Sequence, residues 1–173
     1  MKIVQITGYQ NSGKTSMMLE LIHSFRSKGL KVATLKHHGH GGVPLGLETK
    51  DSSLHQQAGA SIAGVEGEGI FQLVKEEPWK LDELIALYRF WQVDVLLLEG
   101  FKKADYEKIV LLRDEKDVEL LQQVNNIIAV VATDDLEKWV THYPAFHRDK
   151  PAKLAEWLME HWKNTDYQTT EDE

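Results

Sequence analysis

The chain has 173 residues, 42% hydrophobic and 27% charged, with a formal net charge of −7 and no cysteine. That length and balance describe one ordinary globular domain, with no apolar run long enough for a membrane span. The missing thiols exclude disulfides, zinc-thiolate centres and cysteine catalysis, and the acidity argues against a general affinity for nucleic acid, whose phosphates demand a basic face.

Met1-Lys2 runs directly into an apolar stretch without the pattern of a secretory signal, so the expected compartment is the cytoplasm. Ile3 to Thr7 reads as a strand. Met17, Met18, Leu21, Ile22 and Phe25 recur at helical spacing within Lys14 to Ser27, a helix closed by Gly29. Val32 to Lys36 is a second strand, followed by the loop HHGHGGVPLGLETK. Asp51 stands where a helix cap would, before a short helix from Ser52 to Ala58. SIAGVEGEG and IFQLVKEE predict an antiparallel hairpin. Leu81 to Phe90 fits a helix, and VDVLLLEG a fully buried strand that stops at Glu99. KIVLLR, a helix from about Asp114 to Gln123, and NIIAVVATDD repeat the strand, helix, strand order. Leu154 to Trp162 is a last amphipathic helix, and 164–173 a polar tail expected to be disordered, leaving 1–163 as a single domain.

Such alternation implies an α/β fold: a mostly parallel sheet with helices on both faces, carrying an antiparallel hairpin insertion. Ligands of such sheets bind beyond the carboxyl ends of the strands. Gly8 to Thr15 satisfies G-x-x-x-x-G-K-[ST] between a strand and a helix, which is the required context. Gly8 and Gly13 allow backbone amides, those of Asn11, Ser12 and Ser16 included, to surround phosphate oxygens. Lys14 reaches the outer phosphates, Thr15 offers a hydroxyl to Mg2+, and the helix start adds its positive end. Glu99 arrives at the same edge as a carboxylate able to hold Mg2+ or orient a water. Asp51 is a further candidate for that metal shell, or a plain helix cap.

Guanine presents two adjacent N–H donors that one carboxylate can accept, and adenine has no such pair. Asp134 or Asp135, after a late strand, is the candidate reader and favours GTP over ATP, although Asn-Lys-x-Asp is absent. Lys36, His37, His38 and His40 admit three readings: a nickel or zinc site, an anion-facing loop, or a solvated segment. Lys102 and Lys103 either meet phosphate or form a solvated pair.

GYQNSGKT, TLKHHGH, KDSSLHQQAGA, LLLEGFKK and KIVLLRD occur in an order that resembles the MobB family, the molybdopterin-guanine dinucleotide biosynthesis adapter proteins. The blocks span residues 3 to about 135. The resemblance implies a P-loop protein of the SIMIBI type, a homodimer that binds GTP with Mg2+ and hydrolyses it slowly at most. It implies a partner, the nucleotidyltransferase MobA that joins GMP to molybdopterin, with a role in forming or delivering the finished cofactor. By this resemblance Gly13, Lys14 and Thr15 hold phosphate and magnesium, Glu99 and Gly100 sit by the γ-phosphate, and Asp51 and Lys36 to His38 belong to the rim. Two alternatives are an ATP-dependent small-molecule kinase and a nickel-insertion GTPase, the latter weakened by the lack of cysteine.

Overall fold

The computed structural model describes residues 1–37, 50–133, 140 and 142–171. They pack as two compact units, one of residues 1–37 and 91–173, the other of 38–90, where composition alone suggests one domain.

In the first unit, strands β1 (Lys2–Thr7), β2 (Val32–Lys36), β5 (Val95–Glu99), β6 (Lys108–Leu111), β7 (Ile127–Ala132) and β8 (Ala145–His147) form one sheet. Its order is β2-β5-β1-β6-β7-β8. Every pairing is parallel, so all carboxyl ends share one edge. β1 lies at the centre, flanked by β5 and β6. The short β8 is absent from the sequence reading: it holds three residues, one of them exposed, too few to show a period.

Both faces of the sheet are covered, which is why its strands are continuous apolar runs. Val4, Ile6, Val95, Leu97, Ile109, Leu111, Ala129 and Val131 pack with helix α1 (Lys14–Ser27) and helix α4 (Pro151–Glu171). There Phe25 meets Trp162 with ring centroids 5.6 Å apart. On the opposite face Val110, Leu112, Val130 and Ala132 join Leu120 of a 3-10 helix, Glu115–Gln122. α1 closes as Gly29 predicts. Gly29 takes φ 80, its N–H donates to the Arg26 carbonyl, and the Leu30 N–H donates to that of Phe25.

α4 continues to Glu171 instead of stopping at Trp162, so most of the segment read as a polar tail is helical. No glycine or proline interrupts those residues, and Thr165 Oγ1 donates within the helix to the carbonyls of His161 and Trp162. Glu107 anchors the helix just before that segment, with His161 Nε2 at 2.7 Å from one carboxylate oxygen and Trp162 Nε1 donating to the other at 3.2 Å. No described helix is long and apolar enough to cross a membrane.

The second unit contains helix α2 (Lys50–Gln57), the antiparallel strands β3 (Ile62–Gly67) and β4 (Ile70–Lys75), and helix α3 (Leu81–Phe90). α2 begins at Lys50, so Asp51 falls in its first turn and not at the cap. The hairpin forms a two-stranded sheet of its own and is no extension of the parallel one. Its tight turn uses Glu68 and Gly69, both at positive φ, as a two-residue hairpin connection requires. Lys75 Nζ binds both carboxylate oxygens of Glu83, at 2.8 and 3.0 Å, and ties β4 to α3.

Lys108, first in β6, is a buried cation. Its ammonium donates to the carbonyls of Ala104 at 2.6 Å and Tyr106 at 3.0 Å, pinning the loop that follows Glu99. Burial lowers its pKa, an effect that Asp105 opposes. Lys108→Met leaves two carbonyls without their donor, and stability in urea unfolding is expected to fall by about 1–3 kcal/mol.

Candidate functional site

The carboxyl edge of the first unit collects the polar residues. β1 ends at Thr7 and the chain turns through Gly8 to Gly13 into α1. Gly8 is required by contact: a Cβ there would lie 2.4 Å from Ser12 Oγ and 3.0 Å from the Leu111 carbonyl oxygen. Gly13 and Asn11 adopt left-handed backbone, φ 83 and 60. Gly13 opens α1, no side chain caps that start, and its first turn carries no acid, so nothing competes there with an anion.

The loop's carbonyls are already engaged. Lys14 Nζ donates to those of Tyr9 at 2.7 Å and Gly8 at 3.2 Å, and Arg113 Nη1 donates to that of Gln10 at 2.9 Å. Ser12 is fully buried and its hydroxyl has no partner. Thr15 and Ser16 are exposed at the start of α1.

β2 and β5 end side by side and deliver the second group. The His37 N–H donates to the Glu99 carbonyl at 2.8 Å, and Lys36 Nζ sits 3.2 Å from Glu99 Oε1. His37 and Phe101 hold their rings 5.0 Å apart. Gly100 separates them at φ 106, where a Cβ would approach His37 Cβ to 2.9 Å. Lys102 stands over the Tyr9 ring, 5.0 Å from its centroid.

Charge explains what these groups do to one another. The pKa of Lys14 falls below lysine's ordinary 10.5, first because of burial. Glu99 opposes this, while Lys102, Lys36 and Arg113 push it further down. Glu99 is thus set among Lys14, Lys36 and Lys102, while Arg113 has its own partner in Asp117. In a chain of net charge −7 this is a local concentration of positive charge.

Lys14, Glu99, Lys36, His37 and Gly100 are therefore brought together with Gly8 to Ser16, and Lys102 joins them. Asp51 lies on α2, in the other unit, and its side chain is outside the described residues, as are His38, His40, Asp134 and Asp135. Glu99 is 8% exposed and Thr15 is open, so the first unit offers one buried carboxylate and one hydroxyl as hard oxygen donors suited to Mg2+. Among the described residues no group of three or more His, Asp or Glu could hold a metal by itself, so an ion here would take further oxygens from phosphate and water.

Two residues escaped the sequence reading as site components. Arg113 grips the buried Asp117 through Nε and Nη2, each at 2.8 Å, while its N–H adds a third bond to the carboxylate. The i, i+4 spacing of RDEKD is the signal that could have shown this pair. Arg148 carries no such signal. Its Nη2 donates to the Leu112 carbonyl at 2.8 Å, a contact across 36 residues.

A family model described as MobB, molybdopterin guanine dinucleotide synthesis protein B, matches residues 3–134. The chain is 45% identical over 155 residues to a protein of Bacillus subtilis (strain 168) described as a probable molybdopterin-guanine dinucleotide biosynthesis adapter protein, covering 88% of each. It is 31% identical to an adapter protein of that description from Haemophilus influenzae, over 76% of this chain and 74% of that one. The crystal structure of Bacillus subtilis MobB superposes with a TM-score of 0.73 at 37% identity, covering 92% of this chain and 97% of that one.

Two outcomes test the geometry. Gly100→Ala places a methyl group against His37 at a left-handed position and is expected to lower stability by more than about 1 kcal/mol in denaturant unfolding. Asp117 has its carboxyl held below the ordinary carboxylate value, chiefly by the Arg113 hydrogen bond. A depressed pKa stabilises the fold at pH above the unfolded value of about 3.9, and this is lost as pH falls through the native value. Asp117→Asn is expected to be less stable at neutral pH and to flatten the fall in stability at pH below about 4.

Proposed function

Because the chain belongs to the MobB family of molybdopterin guanine dinucleotide synthesis proteins, we propose that it is a nucleotide-gated adapter that binds GTP with Mg2+ at Gly8 to Thr15. In this reading it assists the formation or delivery of molybdopterin guanine dinucleotide. The observation that carries it is the cluster of Lys14, Lys36 and Lys102 around Glu99, built against the start of α1.

The triphosphate replaces the two loop carbonyls as the acceptor of the Lys14 ammonium, and its charge relieves the mutual repulsion of Lys14, Lys36 and Lys102. Gly13 and the amides of Asn11, Ser12 and Ser16 hold phosphate oxygens. Thr15 and Glu99 would be the protein-side oxygens that hold Mg2+, which would supply charge neutralisation at the outer phosphates. Gly100 and His37 border this end of the site. Glu99 is the group able to orient an attacking water, which makes hydrolysis possible; with no arginine or glutamine assigned to the reacting phosphate, turnover is slow. Asp134 remains the proposed reader of guanine.

The proposed partners are MobA, whose reaction joins GMP to molybdopterin, and a second copy of this chain. For the second copy the support is the hairpin. A two-stranded sheet alone is marginal, and this one exposes Ile62, Val65, Ile70 and Phe71. Sedimentation at micromolar concentration is expected to show a dimer that Phe71→Glu weakens, and a persistent monomer counts against the pairing.

Calorimetric titration with GTP and with ATP, each with Mg2+, tests the central reading. GTP is expected to bind at least about tenfold more tightly, equivalent to roughly 1.4 kcal/mol. Lys14→Ala is expected to abolish binding with the fold intact, whereas Glu99→Gln keeps GTP and loses hydrolysis. Equal or tighter ATP binding would replace the adapter reading with a kinase. Because an anion raises the depressed pKa of Lys14, binding at alkaline pH takes up a proton. The binding enthalpy is then expected to vary with the ionisation enthalpy of the buffer.

A further inference from the structure

Arg113 leaves the sheet just after β6, where the Leu112 N–H donates to the Val131 carbonyl at 2.9 Å. Its Nε and Nη2 each donate at 2.8 Å to the Asp117 carboxylate, one to each oxygen, and the Arg113 N–H adds a third bond to the same group. Asp117 is buried, and its own N–H is tied to the Asp114 carbonyl at 3.1 Å, so the anchor is fixed by backbone and side chain alike. The remaining nitrogen, Nη1, donates at 2.9 Å to the Gln10 carbonyl, 103 residues away in the chain. Each of the three guanidinium nitrogens therefore already has an acceptor.

The Nη1 contact falls on the most constrained point of the loop. Asn11 takes φ 60, a left-handed conformation unfavourable for a residue with a side chain. The peptide joining Gln10 to Asn11 is planar and trans, so its carbonyl and its N–H point in opposite directions. By fixing the Gln10 carbonyl, Arg113 also fixes the Asn11 N–H, which is turned away from the guanidinium. Lys14 holds the two preceding carbonyls, those of Gly8 and Tyr9, but in the proposed function it gives them up to a phosphate. Arg113 is bound to a buried carboxylate and keeps its grip when Lys14 lets go.

We infer that Arg113 is a positioning residue: anchored on Asp117, it holds the Gln10–Asn11 peptide so that the Asn11 N–H meets a phosphate oxygen, without itself touching the ligand. This rests on the nucleotide reading of the loop. It adds to that reading a pair outside the G-x-x-x-x-G-K-[ST] motif on which the shape of the loop depends.

The test uses GTP and inorganic tripolyphosphate as calorimetric probes, each with Mg2+, on the full chain and its variants, with melting curves to show which variants fold. Both probes share the linked phosphates, so Arg113→Ala is expected to weaken both by the same factor, about tenfold. Arg113→Lys keeps the charge beside Asp117 and loses the planar fork, and is expected to weaken them similarly. Asp117→Asn separates positioning from charge by the sign of its effect. Removing a carboxylate tightens anion binding if charge alone matters, whereas removing the anchor weakens it, and weakening is expected. Glycine takes left-handed backbone freely, so adding Asn11→Gly to Arg113→Ala is expected to restore most of the lost affinity. Full rescue by lysine together with tighter binding by Asp117→Asn would make Arg113 a simple counter-charge and overturn the inference. Unchanged affinities in the folded variants would leave the pair a stabiliser of the fold alone and overturn it as well. Should Arg113→Ala fail to fold, Arg113→Lys and Asp117→Asn decide between these outcomes. If the unmodified chain binds neither probe, the nucleotide reading falls and takes the inference with it.

Discussion

Among the described residues, Glu99 is the carboxylate that acts on Lys14, and the arrangement of the edge depends on it. Its own position follows from β5 being the neighbour of both β1 and β2. The strand is apolar throughout until its last residue, so burial of Val95 to Leu98 fixes the register and Glu99 is carried to the edge. Lys36 is drawn to it from β2, and the His37 N–H closes the same junction through the Glu99 carbonyl. Without this carboxylate, Lys14, Lys36 and Lys102 would face one another with nothing between them, at a cost that grows as the surroundings lose water. The turn after β1 and the end of β2 thus share one counter-charge.

Steric constraints support the electrostatic one. Gly8 admits Ser12 and the Leu111 carbonyl, and Gly100 admits His37. Both positions lie one residue beyond a strand end. The sheet therefore determines where the chain leaves, and the missing side chains determine how closely the departing segments approach. Arg113 and Lys14 then occupy the carbonyls of three successive loop residues, Gly8, Tyr9 and Gln10.

What was legible in the sequence was whatever is local. Gly8 to Thr15 is read within one turn, and the apolar runs of β1, β5 and β7 announce burial on both faces. β8 was missed because three residues hold too little pattern. The final two turns of α4 were missed because polar helices show no apolar period. Arg148 was invisible because its partner is at the end of a different strand. The hairpin was recognised, but whether a strand pair joins a sheet or stands alone is decided by tertiary pairing, which alternation does not encode. The order of β2, β5 and β1 likewise follows from crossovers rather than from any one segment.

The hold of Lys14 on its own loop has a consequence for which solutes can enter. Before any ligand arrives, the ammonium already has two acceptors, at 2.7 and 3.2 Å. An incoming anion must therefore outbid bonds that already exist, and a small monoanion or a single inorganic phosphate brings little beyond the contact it displaces. On the proposed nucleotide reading, a chain of linked phosphates would engage the amides of the turn, the ammonium and a divalent ion at once, so its later contacts would form at high effective concentration. On that reading, the resting loop would then act as a filter on ligand length, keeping the abundant short anions of a cell from occupying the place of a rarer, longer one.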